Sequence, residues 1–280
     1  MKSLFVICLS LVGIANIFSQ NKNSEIDAIV REGEYMYRLE MASWNGNDIF
    51  LQNYENKNHI GGYFSYITND SATCVFYTKG DYPSVLGSVT FDFTFKPQNA
   101  TMRIGERDFS ENENELYSIR KKAVLAINND TIFKGYNNTS LNLIPMVYEG
   151  RKKAYILTGP RSTGVVILGN DYLIEFDEYD DIKNKKQLHR NIIPIEYNSN
   201  EPGDVTMHSH SEETGEFITP TDICTLMLYA PFTGWKTHYV ISKNYVCIWD
   251  CIKNELTITT RLAWDKMPEK KKGKIKKEKN

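Results

Sequence analysis

Apolar residues recur every three or four positions in the segment that follows Ser24, which is the spacing of one face of an α-helix. Ser24 and Asp27, three positions later, resemble a capping box, so a helix is predicted to begin at Ser24. Gly46 is a residue type that commonly follows the end of a helix, and it predicts the end of this one. The apolar positions of the predicted helix are Ile26, Ile29, Val30, Met36 and Leu39.

Between residues 60 and 98 the helical spacing gives way to alternating polar and apolar positions. The stretch is rich in aromatic and β-branched residues, and Asn-Asp, Lys-Gly and Pro interrupt it at turn-like places. This pattern predicts an antiparallel β-meander built from residues 60–70, 72–80 and 86–98.

A second helix is predicted from Ser110, because Glu113 completes a capping box and an apolar face follows. We place a domain boundary just before this helix. It separates an N-terminal region of one helix plus a β-meander, residues 20–108, from a second domain, residues 109–262.

The second domain combines further strands with one strongly apolar helix, so the predicted fold class of the chain is α+β. Asn170 and Asp171 form a good tight-turn pair between two of the strands. The helix is predicted from Thr219 to Ala230. The predicted strands are residues 153–159, 164–170, 171–179, 187–197 and 204–210, followed by a hairpin over residues 236–262.

The two ends of the chain differ from the rest. Residues 1–19 carry one lysine, an apolar run and a serine before Gln20, which predicts a signal peptide and a secreted or periplasmic protein. Residues 263–280 are lysine-rich and predict a disordered tail. The apolar run is too short for a transmembrane helix, so no membrane span is expected.

Composition narrows the function classes. A hydrophobic content of 41% with 24% charged residues is typical of a soluble globular protein. The formal net charge of -2 gives no general affinity for nucleic acid, so no nucleic-acid partner is expected.

Four cysteines remain beyond the predicted signal peptide, in a compartment that would permit disulfides. Their number allows two bridges, but buried free thiols are the alternative, and Cys247 and Cys251 are spaced poorly for pairing within one strand. The four are Cys74, Cys224, Cys247 and Cys251.

The candidate chemistry lies in residues 206–230, where His208 and His210 stand two residues apart in a predicted strand. Alternation in a strand places both imidazoles on one face, where they can bind a single metal ion. Asp222, in the first turn of the following helix, can supply a third ligand, and two histidines with a carboxylate are typical of catalytic zinc. Capping of the helix by Thr219 is the alternative reason for an aspartate there.

The sequence His-x-His, a loop, then Thr-x-x-Asp resembles the signature of the JAB/MPN (JAMM) metallopeptidases. The resemblance covers approximately residues 110–260 and implies a JAB/MPN-like mixed α/β domain. It further implies that His208, His210 and Asp222 are zinc ligands, with Thr219 in the place of a serine that orients the water or polarises the scissile carbonyl.

The family's general base is a glutamate upstream of this signature, and no glutamate stands at the matching position near Arg161. Glu149 lies at about the right distance and is our candidate for the base, with Glu175 as the next choice. Both are alternatively surface carboxylates. His189 and His238 are isolated in the sequence and are predicted to have core or surface roles.

We therefore expect a secreted zinc-dependent hydrolase that cleaves peptide or isopeptide bonds in a peptide or protein substrate. The alternative is a non-catalytic secreted binding or structural protein on a degenerate metallopeptidase scaffold, as a missing base would imply.

Overall fold

The computed structural model describes residues 5–198 and 203–268, with residues 5–23 described by their backbone alone. Helices and β-sheets are both extensive, which confirms the predicted α+β class. The helices are α1 (Phe5–Asn53), α2 (Glu111–Asn129), α3 (Pro220–Thr233) and α4 (Arg261–Asp265). The strands are β1 (Ile60–Ile67), β2 (Ala72–Thr78), β3 (Val85–Phe91), β4 (Thr101–Arg107), β5 (Thr139–Tyr148), β6 (Arg151–Pro160), β7 (Val165–Gly169), β8 (Tyr172–Phe176), β9 (Ile182–Gln187), β10 (Ile192–Glu196), β11 (Val205–Ser209), β12 (Thr237–Ile241), β13 (Tyr245–Asp250) and β14 (Glu255–Thr260).

The strands form three four-stranded sheets and one pair. The first sheet is the meander β1-β2-β3-β4, antiparallel throughout, which confirms the predicted meander and adds β4 to it. The second sheet has the order β5-β6-β8-β9 and is antiparallel. β7, which lies between β6 and β8 in the chain, pairs instead with β10. The third sheet has the order β11-β12-β13-β14.

The third sheet contains a parallel pair, because α3 connects β11 to β12 as a crossover helix. In this register His208 lies beside Val240. The remaining strands are antiparallel, so the hairpin predicted over residues 236–262 is a three-stranded meander. Residues 210–219 connect β11 to α3, and the N-terminus of α3 lies close to the end of β11, since Asp222 Oδ2 is 3.3 Å from His210 Nε2.

α1 differs from the prediction at both ends. Ser24 lies inside the helix instead of capping it, and Gly46 lies inside it too, seven residues before Asn53. A side chain at Gly46 would approach the Cβ of Cys74 to 2.7 Å, so this glycine lets the helix pack closely on the first sheet. Close approach between a helix and a sheet is a requirement that the local sequence does not reveal.

Buried residues of α1 belong to two hydrophobic clusters, and its Ile29 and Val30 pack against a third. Its C-terminal part packs on the first sheet, where the rings of Phe50 and Phe76 stack with their centroids 4.0 Å apart. An earlier stretch, including Met36 and Leu39, packs instead on β5, β6 and α3. At Gly33 the helix touches α3, because an added Cβ would come within 2.7 Å of the Cβ of Ile223. One helix therefore supports both the meander and the part of the molecule that carries the paired histidines.

α2 begins as predicted. The Ser110 hydroxyl accepts from the Glu113 amide, and the Glu113 carboxylate accepts from the Ser110 amide at 2.8 Å. Ile119 and Ala123 pack on the second sheet, while Leu116 packs on the first.

Cys74, Cys224 and Cys247 are buried, Cys251 is half-buried, and no disulfide joins any of these four. Of the two alternatives left open by the sequence, free thiols are the one observed. Burial raises the pKa of the Cys74 thiol to about 12, so it stays protonated.

The structure describes the two predicted terminal segments only in part. Residues 1–4 of the predicted signal peptide and residues 269–280 of the predicted tail lie outside the described residues. Trp264, in α4, is buried against Tyr239 and Val246. Among the helices that the structure describes, none is long and apolar enough to cross a membrane.

Candidate metal centre

The paired histidines lie at the end of β11. His208 is within the strand, and His210 continues its pairing, since the His210 amide donates to the carbonyl of Ile241 at 2.9 Å. Their Nε2 atoms are 2.9 Å apart, and the side chains are almost fully buried. The predicted placement of both imidazoles on one face is confirmed.

Asp222 reaches the same place from the first turn of α3. Thr219 is the N-cap, with its hydroxyl accepting from the Asp222 amide at 3.2 Å, and Pro220 is the first helical residue. In return, Asp222 Oδ2 accepts from the Thr219 amide at 2.9 Å and from the Thr219 hydroxyl at 2.7 Å. Capping and approach to the histidines are thus properties of the same carboxylate, so the two interpretations of Asp222 do not compete.

The second oxygen of this carboxylate is in an unusual position. Asp222 Oδ1 is buried and accepts no hydrogen bond within the described part of the chain. It lies 3.5 Å from His208 Nε2. A buried carboxylate oxygen without a donor is costly, so a cation beside it would remove a substantial penalty.

A fourth side chain completes the cluster: His189, on the connection between β9 and β10. Its Nε2 lies 3.2 Å from His210 Nε2 and 3.6 Å from Asp222 Oδ2. It is buried, as a core histidine would be, but sequence reasoning missed its association with the pair. His189 precedes His208 by 19 residues, with no motif to connect them.

The connection that carries His189 is held against the β7–β8 turn. The Leu188 amide donates to the carbonyl of Asp171 at 2.7 Å. Gly169 has a φ of +81°, and a Cβ there would overlap the carbonyl oxygen of Asn191. A glycine is required at this close contact, which brings His189 towards the end of β11.

The four side chains surround one point. In five of the six pairs of side chains the facing nitrogen and oxygen atoms are 2.9, 3.2, 3.3, 3.5 and 3.6 Å apart, and candidate ligand atoms of all four lie within 4.8 Å of one another. Ligands at 2.0–2.1 Å from a tetrahedral zinc ion are about 3.3 Å apart, so these distances suit such an ion. His189, His208, His210 and Asp222 form a buried group that can hold a metal ion.

A second layer of polar groups lies behind two of the imidazoles. His208 Nδ1 is 2.8 Å from His238 Nε2, and His238 Nδ1 is 2.7 Å from the Thr206 hydroxyl. His189 Nδ1 is 3.3 Å from Asp171 Oδ2, an ion-pair distance in which the N–H is not well aligned for a hydrogen bond. With their Nδ1 atoms facing these groups, His208 and His189 have their Nε2 atoms on the side of the cluster.

Burial and neighbouring charges together set the protonation states. Burial lowers the pKa of His208 to about 4 and holds that of His238 well below its usual value, so both are neutral at pH 7. Burial also lowers the pKa of His189, but Asp222 and Asp171 outweigh it and raise that pKa to about 9. Burial raises the pKa of Asp222, but the histidines, His189 first, outweigh this effect and hold it well below its usual range. A neutral imidazole and an ionised carboxylate are the protonation states in which these side chains bind metal.

The two glutamates proposed as a base lie elsewhere. Glu149 is exposed in the turn between β5 and β6, with a φ of 49°, and is not a member of the buried cluster. Glu175, half-buried in β8, accepts from the Asn184 amide group at 3.0 Å. The Thr219 hydroxyl is engaged with Asp222, as described above.

Comparisons of the chain with models of protein families, with curated proteins and with solved structures gave no match.

Proposed function

We propose that this protein binds one zinc ion through His189, His208, His210 and Asp222. The observation that carries the proposal is the convergence of three imidazole nitrogens and a carboxylate on one point, with an oxygen of Asp222 lacking any other described partner. Imidazole and carboxylate ligands at tetrahedral spacing suit Zn²⁺ well.

The number of ligands favours a structural role for the ion. Structural zinc sites have four protein ligands, whereas catalytic ones usually have three and keep one position open for water. Here a fourth protein side chain, His189, is available as a ligand, and the exposed fractions of the four side chains are only 7, 1, 0 and 0%. We therefore favour a non-catalytic binding or structural protein, exported as its N-terminal pattern predicts.

Elemental analysis of the purified protein tests this proposal. We expect one zinc per chain in the unchanged protein and a background level in Asp222→Ala, because that substitution removes the only anionic ligand. Zinc at background level in the unchanged protein would end the metal proposal.

Glu113→Ala is the matched control. Glu113 is a buried acid at the third position of α2, has the same capping role as Asp222, and lies outside the cluster. Both variants lose a capping-box partner, and Glu113→Ala also loses the ion pair with Arg107, but only Asp222→Ala should lose zinc. Loss of zinc from both would mean that the metal depends on general stability and not on this carboxylate.

Hydrolysis of peptide or isopeptide bonds is the second candidate, supported by the His-x-His strand followed by an Asp-bearing helix and by the resemblance to JAB/MPN metallopeptidases. It requires His189 to leave the coordination position that water needs, and a base such as Glu149 to move towards it. When bound, the zinc would lower the pKa of a water molecule towards neutrality.

An assay of the zinc-loaded protein separates the two candidates. A hydrolase should cleave a mixture of fluorogenic peptides or an isopeptide-linked conjugate, and Glu149→Gln should slow it by a factor of about 10² to 10⁴. A zinc-loaded protein that cleaves neither substrate, at any rate above that of Asp222→Ala, supports the non-catalytic role.

A further inference from the structure

Asp171 is a buried acid close to the metal centre but not part of it. Its side chain is 5% exposed and lies in the turn between β7 and β8. Oδ2 is 3.3 Å from His189 Nδ1, and Oδ1 accepts from the Thr158 amide at 3.2 Å. An ionisable group in the interior needs a compensating partner, and His189 is the one that faces it.

The turn that carries Asp171 is rigidly held. The preceding residue, Asn170, is fully buried with a φ of 54°. Its amide group donates to the Lys134 carbonyl at 2.8 Å and to the Thr158 hydroxyl at 3.0 Å, while the Tyr172 hydroxyl donates to its Oδ1 at 2.6 Å. Asp171 therefore presents its carboxylate to His189 from a fixed position.

The two nitrogens of His189 face different partners. Nδ1 is 3.3 Å from Asp171 Oδ2, whereas Nε2 is 3.2 Å from His210 Nε2 and 3.6 Å from Asp222 Oδ2. A carboxylate at one ring nitrogen holds the proton there, which leaves the lone pair of the other nitrogen free for a metal ion.

Charge favours the same arrangement. With neutral imidazoles, a divalent ion in the centre would carry two positive charges in the interior. Asp222 balances one of them as a ligand, and Asp171 is the buried acid placed to balance the other through His189. The partner of His208 is the imidazole of His238, which is uncharged and cannot serve this purpose.

We propose that Asp171 is a positioning residue that fixes the orientation and tautomer of His189, so that Nε2 of His189 becomes the fourth ligand of the metal. This inference rests on the proposed function, since it concerns the same zinc site. It adds a residue that does not touch the ion.

Asp171→Asn tests the inference. Asparagine keeps the shape of the side chain and an oxygen for the Thr158 amide, but it removes the negative charge. We expect the affinity for Zn²⁺, measured by competition with a chelating indicator, to fall about 10- to 100-fold. An affinity within about twofold of that of the unchanged protein would overturn the inference.

Asp177→Asn is the matched control, because Asp177 is also an acid in a turn of the second sheet, accepting from the Tyr179 and Asp181 amides. It should bind zinc as the unchanged protein does. A purely structural role of Asp171 would instead destabilise the zinc-free protein and leave the affinity unchanged, which thermal unfolding of the zinc-free variants would reveal.

A second measurement needs no variant and decides the question if Asp171→Asn does not fold. ¹⁵N NMR of the unchanged, zinc-loaded protein should show His189 protonated at Nδ1 and metal-bound at Nε2. The opposite tautomer, or a His189 that does not bind metal, would overturn the inference while leaving the zinc proposal intact for the other ligands. An unchanged protein that binds no zinc overturns both.

Discussion

Removing zinc from the protein is expected to lower its free energy of unfolding by about 4 kcal/mol, relative to the protein in free Zn²⁺ at a thousand times its Kd. The ion would join the β9–β10 connection, β11 and the first turn of α3, and none of these contacts survives in the unfolded chain. For a chain of this size the loss corresponds to a fall in Tm of about 8–16 °C. Thermal unfolding with free zinc buffered at several concentrations measures it.

The concentration dependence is the decisive part of this experiment. Stability should rise by about 1.4 kcal/mol for each tenfold increase in free zinc above Kd, and Asp222→Ala should show no dependence. Identical melting of the unchanged protein with and without zinc would contradict the prediction.

Replacing Glu40 with glutamine is expected to stabilise the protein at pH 8 by about 3 kcal/mol. Glu40, on α1, is 3% exposed, and its partner is the amide group of Asn142. Burial raises the pKa of this carboxyl from 4.5 to about 7. At pH 8 the native protein therefore holds a buried charge. Each unit by which burial raises the pKa corresponds to about 1.4 kcal/mol of lost stability.

The pH dependence follows from the direction of that shift. Because the folded pKa is raised, the stability associated with Glu40 is fully present below pH 4.5 and is lost as the pH rises to about 7. Glu40→Gln should match the unchanged protein near pH 4.5 and exceed it progressively up to pH 8, as followed by urea unfolding.

Glu113→Gln is the matched control with the opposite sign. Two hydrogen bonds from Arg107, at 2.6 and 2.7 Å, outweigh burial and lower the pKa of Glu113, so glutamine there should destabilise the protein at pH 8. Equal stability of Glu40→Gln and the unchanged protein across the whole range would show that Glu40 is not ionised in a buried environment.

The parts of the structure that depend on neighbours a few residues apart were predictable from the sequence. The capping boxes of α2 and α3 each need only two residues three positions apart, Ser110 with Glu113 and Thr219 with Asp222. The common face of His208 and His210 needs only the alternation of a strand.

The parts that depend on distant residues were not predictable. Gly46 is a residue type typical of a helix end, but here it is needed because the helix packs closely against Cys74 of the first sheet. Residues 182–187 form β9, although the run is mostly polar and mostly exposed, because its backbone pairs with β8. His189 joins the site because the connection that carries it packs on Gly169 and Asp171. No spacing along the chain marks that contact.

The sharing of α1 between two hydrophobic clusters has a consequence for the synthesis of the chain. Synthesis proceeds from the N-terminus, so the meander that covers Phe50 emerges from the ribosome soon after the helix does. The partners of Met36 and Leu39 are far later in the chain, the last of them in α3, which ends at Thr233. That face of the helix stays uncovered until α3 has been made, and during this interval it exposes apolar surface.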